Sequence, residues 1–302
     1  MFGHLLVPLD GSQLAESVLP AAQALAGRFR SEVTLLHVVE RRPPAAVHGD
    51  RHLRSVPEAE AYLAAVAART FGGLRTATHV HAAEAADVAT LIARHAEELG
   101  ADLIVLCTHG TGGARDLLYG SVAQQVLNRG GAPILLLKPG GVGRGATFER
   151  IVVPLDGSPP SEAALPAAES LARAFAGRLI LVLIVPTLAT VPTDRSPAAL
   201  LLPSATTASL ELEAEAAQTY LEGVAARLRA GGAGVEVQVG RGDPALEVLE
   251  AAERFDADVL VMATHGRSGM SAVWAGSVAM RIVARCRRPM LLVRAPGVPL
   301  TP

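Results

Sequence analysis

Two segments of the chain carry residues suited to holding a phosphate group. The first joins a Thr-His-Gly turn to a Gly-Ser-Val-Ala segment nine residues later: Thr108, His109, Gly110, Gly120, Ser121, Val122 and Ala123. The second has the same spacing: Thr264, His265, Gly266, Gly276, Ser277, Val278 and Ala279. Glycine lets the backbone approach an anion, and a helix start offers unpaired N–H groups. Turns and caps explain one such segment equally well, but two at identical spacing favour phosphate binding.

The repetition reaches beyond these segments. The hexapeptide Val-Pro-Leu-Asp-Gly-Ser at residues 7–12 recurs letter for letter at residues 153–158. Four glycines within residues 140–145 have the composition of a linker. A chain of 302 residues suggests two domains, because a typical domain has about 150 residues. We therefore expect one domain at residues 1–139, a linker at 140–149 and a second domain at 150–302.

Apolar runs and helical patterns alternate along each copy. In the first copy the sequence predicts strands at 5–9, 32–39, 76–81, 103–107 and 133–138. It predicts helices at 14–29, from 58 to about 69, at 87–99 and from 120 to about 130. Residues 41–57, between the second strand and the second helix, are predicted to form a loop. The second copy repeats this order and ends in a strand at 289–294. It has additional residues before its Thr-His-Gly turn, which we assign to a loop after residue 185, and we expect 186–208 to be irregular. This alternation predicts an α/β fold of two tandem, doubly wound, parallel-sheet (Rossmann-like) domains.

Polar residues follow two strands in each copy, and they suggest a nucleotide site. In doubly wound sheets, ligands bind at the carboxyl ends of strands where the strand order reverses. Asp10 and Asp156 follow the first strand of each copy, and a carboxylate there suits ribose hydroxyls. Val38 and Ile184, near the ends of the second strands, are candidates for contact with a base. Asp-Gly-Ser is also an ordinary turn and cap sequence, so both interpretations of the aspartates stay open.

The chemistry-bearing side chains near the glycine segments do not form a recognisable catalytic set. His109 and His265 have no Ser-His-Asp or Cys-His arrangement around them, so a structural role is expected. Cys107 corresponds to Ala263 in the second copy, which indicates a small packing residue rather than a nucleophile. We assign no catalytic residue and no metal ligand from the sequence.

Composition limits the classes of function. The formal net charge is −2 and aromatic residues make up 3% of the chain, which argues against a nucleic-acid binder. Two distant cysteines, no signal peptide pattern and no apolar run long enough to span a bilayer lead us to expect a cytoplasmic protein that does not associate with membranes.

These motifs resemble the universal stress protein family, specifically its tandem two-domain members. The family's ATP motif is G-x2-G-x9-G-[ST], and here Cys107 and Ala263 stand in place of the first glycine. The resemblance implies ATP, with or without Mg²⁺, as ligand. The implied binding residues of the first copy are Pro8, Leu9, Asp10, Val38, Cys107, Thr108, His109, Gly110, Gly113, Gly120, Ser121, Val122 and Ala123. Those of the second copy are Pro154, Leu155, Asp156, Ile184, Ala263, Thr264, His265, Gly266, Arg267, Ser268, Gly269, Gly276, Ser277, Val278 and Ala279.

The resemblance also implies a stress-response regulator or protective factor without strong enzymatic activity. Its two halves would pair through their last strands as a pseudo-dimer, and two chains could form a homodimer. Two alternatives stay open. One is a slow ATP hydrolase or nucleotidyl transferase, which the absence of a complete G-x4-G-K-[ST] motif disfavours. The other is a scaffold that binds no nucleotide and uses the motifs only to build turns.

Overall fold

Strands and helices follow one another along the part of the chain that the structure describes. The computed structural model describes residues 1–40, 46–47, 50–51, 53–82, 87–108, 121–138, 146–191, 200–265 and 278–295. The strands of the first copy are β1 (His4–Pro8), β2 (Glu32–Val39), β3 (Ala46–Val47), β4 (Asp50–Arg51), β5 (Thr76–Ala82), β6 (Leu103–Cys107) and β7 (Ile134–Leu137). Its helices are α1 (Gln13–Glu16), α2 (Leu19–Phe29), α3 (Val56–Thr70), α4 (Val88–Glu98) and α5 (Ser121–Arg129).

The second copy follows the same order, but within its described residues it has no counterpart of the short antiparallel pair β3 and β4, which lies in the segment 41–57 that the sequence predicted as a loop. Its strands are β8 (Arg150–Pro154), β9 (Arg178–Val185), β10 (Gly234–Arg241), β11 (Val259–His265) and β12 (Met290–Ala295). Its helices are α6 (Pro159–Glu162), α7 (Leu165–Phe175), α8 (Pro203–Ala230), α9 (Pro244–Arg254) and α10 (Val278–Arg285). The strand–helix alternation predicted from the sequence is therefore confirmed.

The chain divides into two compact units. The first contains Met1–Thr147 together with Arg287–Arg294, and the second contains Phe148–Cys286 and Ala295–Pro302. In the first unit the strand order is β12-β7-β6-β1-β2-β5. Strands β7 to β5 in that order are parallel, whereas β12 runs antiparallel to β7, with Leu291 opposite Leu135. The final strand of the sequence thus extends the sheet of the first unit.

The second unit has the strand order β10-β9-β8-β11, with parallel pairing throughout. In both units the first strand of the copy lies between the second strand and the strand that leads to the glycine segment. The order of strands therefore reverses beside β1 and beside β8, which is the arrangement expected of doubly wound sheets.

Apolar burial explains why these segments form a central sheet. Every residue of β6 is buried, as are the three middle residues of β1 and of β8. Such continuous apolar strands are typical of parallel sheets covered on both faces. Full burial of each large aliphatic side chain contributes about 1.5–3 kcal/mol. The positions of the strand ends, where the polar residues lie, are thereby fixed by the core.

One predicted helix is divided in the structure. The sequence pattern predicted a continuous helix at residues 14–29, but α1 ends at Glu16 and α2 begins at Leu19. Pro20 lies in the first turn of α2, where its missing N–H group costs no hydrogen bond. In the middle of a longer helix the same proline would remove a hydrogen bond and clash with the preceding turn. The chain therefore starts a new helix there.

The additional residues of the second copy lie in a helix and not in the loop after residue 185. Helix α8 has 28 residues, whereas its counterpart α3 has 15. The predicted irregular segment 186–208 is therefore wrong for its last residues, because α8 begins at Pro203. Buried residues of α8 include Ala217, Leu221 and Leu228, whose spacing of about one or two turns defines a single apolar face. In the part of the chain that the structure describes, no helix is long and apolar enough to cross a membrane.

Candidate functional site

The turn after β1 presents Asp10 with a fixed orientation. Its Oδ1 atom accepts hydrogen bonds from the backbone N–H of Ser12 (2.9 Å) and from the Ser12 hydroxyl (2.6 Å). Ser12, and not Asp10, is the N-cap of α1, because its Oγ accepts the N–H of Ala15. Gly11, at φ +89°, supplies the left-handed backbone that this turn needs. Asp10 therefore holds the capping residue in place and does not cap the helix itself.

The neighbouring strand β2 contributes an apolar wall and a hydrogen bond to the same turn. His37 bonds through Nδ1 to the carbonyl oxygen of Leu9 at 2.7 Å. The backbone N–H of Leu9 donates to the carbonyl of Leu36 at 2.8 Å. These two bonds extend the contact between the strands past the end of β1. They fix the backbone beside Val38, which is buried.

Cys107, at the end of β6, is a packing residue in a protonated state. Burial raises the pKa of its thiol, and the negative charge of Asp10 raises it further, while a hydrogen bond from the Ser17 hydroxyl (3.3 Å) opposes the shift only in part. A reactive cysteine needs the opposite environment, one that stabilises the thiolate. The next residue, Thr108, is also buried, and its N–H and Oγ both donate to the carbonyl of Leu137.

These strand ends and the start of α5 enclose one cavity of about 180 Å³. The predicted residues that line it are Pro8, Leu9, Asp10, Val38, Cys107, Val122 and Ala123. Pockets for whole ligands usually measure about 300–1,000 Å³, so this cavity fits part of a molecule of nucleotide size. The structure thus brings together residues that are more than 100 positions apart in the sequence.

Other lining residues were not identified from the sequence: Ala15, Leu36, His37, Glu40, Val88, Ile92 and Leu106. Val88 and Ile92 are four positions apart in α4, so they face the same side of that helix. The sequence signal for this helix face was the spacing of Val88 and Ile92 at the start of the segment predicted as a helix. It could not show which strand that face would cover.

The second unit builds the same aspartate turn. Asp156 Oδ1 accepts from the N–H (2.9 Å) and hydroxyl (2.6 Å) of Ser158. Partial burial raises the pKa of Asp156, but the hydrogen bonds from Ser158 and Ser161 outweigh that effect and the pKa is lowered. Leu155 donates its N–H to the carbonyl of Val182, as Leu9 does to Leu36. The carboxylate is therefore ionised at neutral pH in this turn.

The remaining predicted residues of the second copy are only partly described. Pro154 and Ile184 are half-buried at the ends of β8 and β9, and Ala263 and Thr264 lie in β11. Val278 and Ala279 begin α10. His265 is the last residue of β11. The following predicted residues lie outside the described part of the chain: His109, Gly110, Gly113, Gly120, Gly266, Arg267, Ser268, Gly269, Gly276 and Ser277.

The known proteins to which this chain is similar include several universal stress proteins. The chain is 32% identical over 151 residues to the universal stress protein MJ0531 of Methanocaldococcus jannaschii, covering 49% of this chain and 84% of that protein. It is 34% identical over 137 residues to the universal stress protein Sll1654 of Synechocystis, covering 45% and 86%. A universal stress protein from Archaeoglobus fulgidus has a similar fold, with a TM-score of 0.69, 19% identity, and coverage of 97% of this chain and 99% of that one.

The duplication seen in the fold has a direct counterpart in the sequence comparison. The sequence model of the universal stress protein family matches twice, at residues 1–138 and at residues 147–294. Each match includes one aspartate turn, one glycine segment and the strands that position them. The chain therefore belongs to the universal stress protein family, and it carries two copies of the family's domain in tandem.

Proposed function

We propose that the chain binds an adenine nucleotide, with ATP as the expected ligand, at the cavity of the first unit, and that binding regulates a protective role in stress. The observation that carries this proposal is the position of Asp10 in the wall of an otherwise largely apolar cavity, at the point where the strand order reverses. A nucleotide needs an apolar slot, acceptors for ribose and donors for phosphate. Each of these has a candidate around the cavity.

The adenine ring would lie against the aliphatic wall. Val38 from β2 and Val88 and Ile92 from α4 all line the cavity. Ile92 and Val38 are both buried, so their side chains are held in place by the surrounding core. A flat, weakly polar ring gains free energy by leaving water for such a wall. Val122 and Ala123, at the start of α5, also line the cavity.

The ribose hydroxyls would bind to the Asp10 carboxylate. An ionised carboxylate has about four acceptor sites, and the two bonds from Ser12 both reach Oδ1. These bonds fix the orientation of the group at the cavity wall. Hydrogen bonds to a charged acceptor are stronger than those between neutral groups, so this contact would set the position of the sugar. The phosphates would then point towards the start of α5, where helix N–H groups favour anions.

Asp10→Asn tests this arrangement with little change of shape. The Asn carbonyl oxygen still accepts from Ser12, while the negative charge and half of the acceptor capacity are lost. A charge-assisted hydrogen bond is worth about 1.5–3 kcal/mol, so we expect ATP affinity at the first site to fall about tenfold to a hundredfold. Calorimetric titration of the full chain measures this. Asp156→Asn is the matched control, because it changes the same turn in the other unit and leaves the first site intact.

The outcomes separate the candidate functions. Unchanged ATP affinity at the first site in Asp10→Asn would contradict the proposed ribose contact. No detectable binding of ATP by the wild-type chain would favour the scaffold. Release of phosphate during the titration, dependent on Mg²⁺ and on Asp10, would favour the slow hydrolase. We expect bound ATP to be recovered intact.

We also propose that the two sequence copies pair within one chain as a pseudo-dimer. The antiparallel register of β7 and β12, with Leu135 opposite Leu291, supports this pairing. Replacing both leucines with cysteine should allow a disulfide under mild oxidation, because directly opposed residues in a sheet are close. A crosslinked chain of single mass is expected. Crosslinked species of double mass would instead indicate exchange of strands between chains in a homodimer.

We further propose a cytoplasmic location. Neither Cys107 nor Cys286 forms a disulfide within the described residues, and both are buried, which suits a reducing compartment. Fractionation of cells followed by detection of the chain tests this. Recovery in a secreted or membrane fraction would contradict the proposal.

A further inference from the structure

Three histidines of the first unit lie close together, and none of them is among the residues that line the cavity described above. His79 and His81 are two positions apart in β5, and His95 lies in α4. Each side chain offers a ring nitrogen, and the three nitrogens lie within 4.8 Å of one another. The ring centroid of His95 is 4.6 Å from that of His79 and 4.9 Å from that of His81. The three nitrogens are close enough for small side-chain rotations to bring them to one ion.

Strand and helix geometry bring the histidines together. Alternate residues of a strand point to the same face, so His79 and His81 share one face of β5, while Val80 packs against the core cluster that includes Val39 and Ala59. Helix α4 begins after its N-cap, Asp87, and buries His95 among the alanines and aliphatic residues of its inner face. His95 thereby faces both strand histidines.

His95 is a buried imidazole in contact with the rings of both strand histidines. Burial lowers its pKa, and the neighbouring His79 and His81 lower it further, while Glu98 opposes the shift. The Nε2 atom of His95 lies 3.1 Å from Nδ1 of His81. The two rings therefore already meet at nitrogen atoms that could face a shared cation.

Glu98 supplies the outer partner that metal-binding histidines usually have. Its Oε2 lies 3.1 Å from Nδ1 of His95. A carboxylate bonded to one ring nitrogen fixes the tautomer and directs the lone pair of the other nitrogen to the metal. In the structure that other nitrogen, Nε2, faces the strand histidines. Arg94 donates to Oε1 of Glu98 and so holds the carboxylate in position.

A polar atom in the cluster lacks a partner. Nε2 of His79 is buried, and within the described residues it has no hydrogen-bond partner. A buried polar atom without a partner is unfavourable. A cation between the three rings would give this nitrogen a partner. The cation would also replace the contact between His95 and His81 by two metal–nitrogen bonds.

We propose that His79, His81 and His95 bind a divalent transition-metal ion of the zinc class, with Glu98 as the carboxylate that orients His95. Three imidazoles with an open fourth position form a known tetrahedral zinc arrangement, with Zn–N distances of about 2.0–2.1 Å. Imidazole donors also suit Cu²⁺, Ni²⁺ and Co²⁺ and do not suit Mg²⁺ or Ca²⁺. Side-chain rotation of the half-buried His79 and His81 would close the remaining separation.

The position of the site gives it a structural consequence. Strand β5 is at the edge of the first unit's sheet, and an ion held by two residues of β5 and one of α4 would join the edge strand to the helix. His81 pairs with Val38 of β2, and Val38 lines the nucleotide cavity. Metal binding would therefore fix the elements that form one side of that cavity.

His79→Gln is the most direct test. Gln238 holds the corresponding position in the second unit, so the change is compatible with this type of strand. The full chain is treated with a chelator, dialysed and titrated with Zn²⁺ in competition with a chromophoric chelator. We expect the wild-type chain to bind one Zn²⁺ tightly. His79→Gln should lose more than about a hundredfold in Zn²⁺ affinity, because removing a ligand should cost more than the tenfold to hundredfold loss typical of changing a residue that only orients a ligand. Far-UV circular dichroism of the metal-free variant checks its folding.

Matched glutamate variants test the orienting role. Glu98→Gln should weaken Zn²⁺ binding about tenfold to a hundredfold, whereas Glu97→Gln, at the adjacent exposed position, should leave it unchanged. Substitution of Co²⁺ gives a second readout, because a tetrahedral site has strong visible absorption bands that His79→Gln should remove. Absence of tight Zn²⁺ in the wild-type chain, or equal affinity in His79→Gln, would overturn the proposed site. Equal effects of the two glutamate changes would overturn the role of Glu98.

Discussion

The two units build the same strand differently at corresponding positions. In the first unit Leu36 of β2 pairs with His79, and in the second unit Val182 of β9 pairs with Gln238. Leu36 and Val182 are equivalent, because they pair with the prolines that end β1 and β8. Two residues further along, His81 corresponds to Gly240. A Cβ atom added to Gly240 would lie 2.5 Å from Cδ1 of Ile184.

The facing helices differ in the same way. Asp87 and Asp243 are the N-caps of α4 and α9, and the residue eight positions after the cap is His95 in one and Ala251 in the other. Gln238, Gly240 and Ala251 thus take the places of the three histidines in the second unit, and none of them carries an imidazole. The duplicated strands and helices set these three positions in both units. The residue types at the three positions decide whether imidazole donors are present there.

The largest expected loss of stability is at Gly177, just before β9, where the second unit has a close backbone contact and the first unit has a side-chain hydrogen bond. A Cβ on Gly177 would lie 2.5 Å from the carbonyl oxygen of Glu149, whereas the corresponding Ser31 is buried and donates to the carbonyl of Phe2. Gly177→Ala should therefore cost about 3 kcal/mol through overpacking. Chemical denaturation measures it. Gly223→Ala, where the added methyl has open space, should stabilise helix α8 by about 0.5–1 kcal/mol. Equal effects would contradict the packing argument.

The two helix caps should differ by a smaller amount. Asp243 accepts from the N–H groups of Ala245 and Leu246 and forms two bonds with Arg281, at 2.9 and 2.8 Å. Asp87 accepts one backbone N–H and pairs with a single nitrogen of Arg129, and its side chain is 50% exposed against 27% for Asp243. We expect Asp243→Ala to cost about 2 kcal/mol and Asp87→Ala about 1 kcal/mol. Urea titrations of both variants compare them, and a larger loss in Asp87→Ala would reverse the ranking.

Acid should remove the contribution of Asp243. The ion pair with Arg281, followed by the bonds from the backbone of α9, lowers its folded-state pKa below the ordinary value of 3.8. The unfolded chain therefore takes up the proton first as the pH falls. The stabilisation is complete above pH 3.8 and is lost as the pH falls through the lower folded-state pKa. The stability difference between wild type and Asp243→Ala should shrink over that range, and a constant difference would contradict the assignment.

The sequence was sufficient for the order of the long strands along the chain and for the strand ends that carry polar residues. The position of Asp10 after a buried strand, and of Val38 near the end of the next, follows from local patterns and from the rule for doubly wound sheets. The division between α1 and α2 required giving more weight to Pro20. The length of α8 was missed because its first turns are rich in Pro, Ser and Thr, and only the later apolar residues show helical spacing.

The histidine cluster could be predicted only in part. The spacing of His79 and His81 indicates a shared face as soon as the segment is assigned to a strand. The position of His95 requires the packing of α4 against that face, and strand–helix packing is a property of the folded unit. Sequence patterns place residues on faces of single elements, and they do not determine which faces meet.

The smallest expected effect concerns the equivalent pair Val38 and Ile184. Val38 is 7% exposed and lines the first unit's cavity, so a further methyl group would reduce the space that we assign to adenine. Ile184 instead directs Cδ1 towards Gly240, where the first unit has His81. Val38→Ile should lower ATP affinity at the first site by about fivefold, or about 1 kcal/mol. Ile184→Val should leave that site unchanged. Calorimetry in the Asp156→Asn background isolates the first site, and equal or tighter binding by Val38→Ile would show that the base does not bind against Val38.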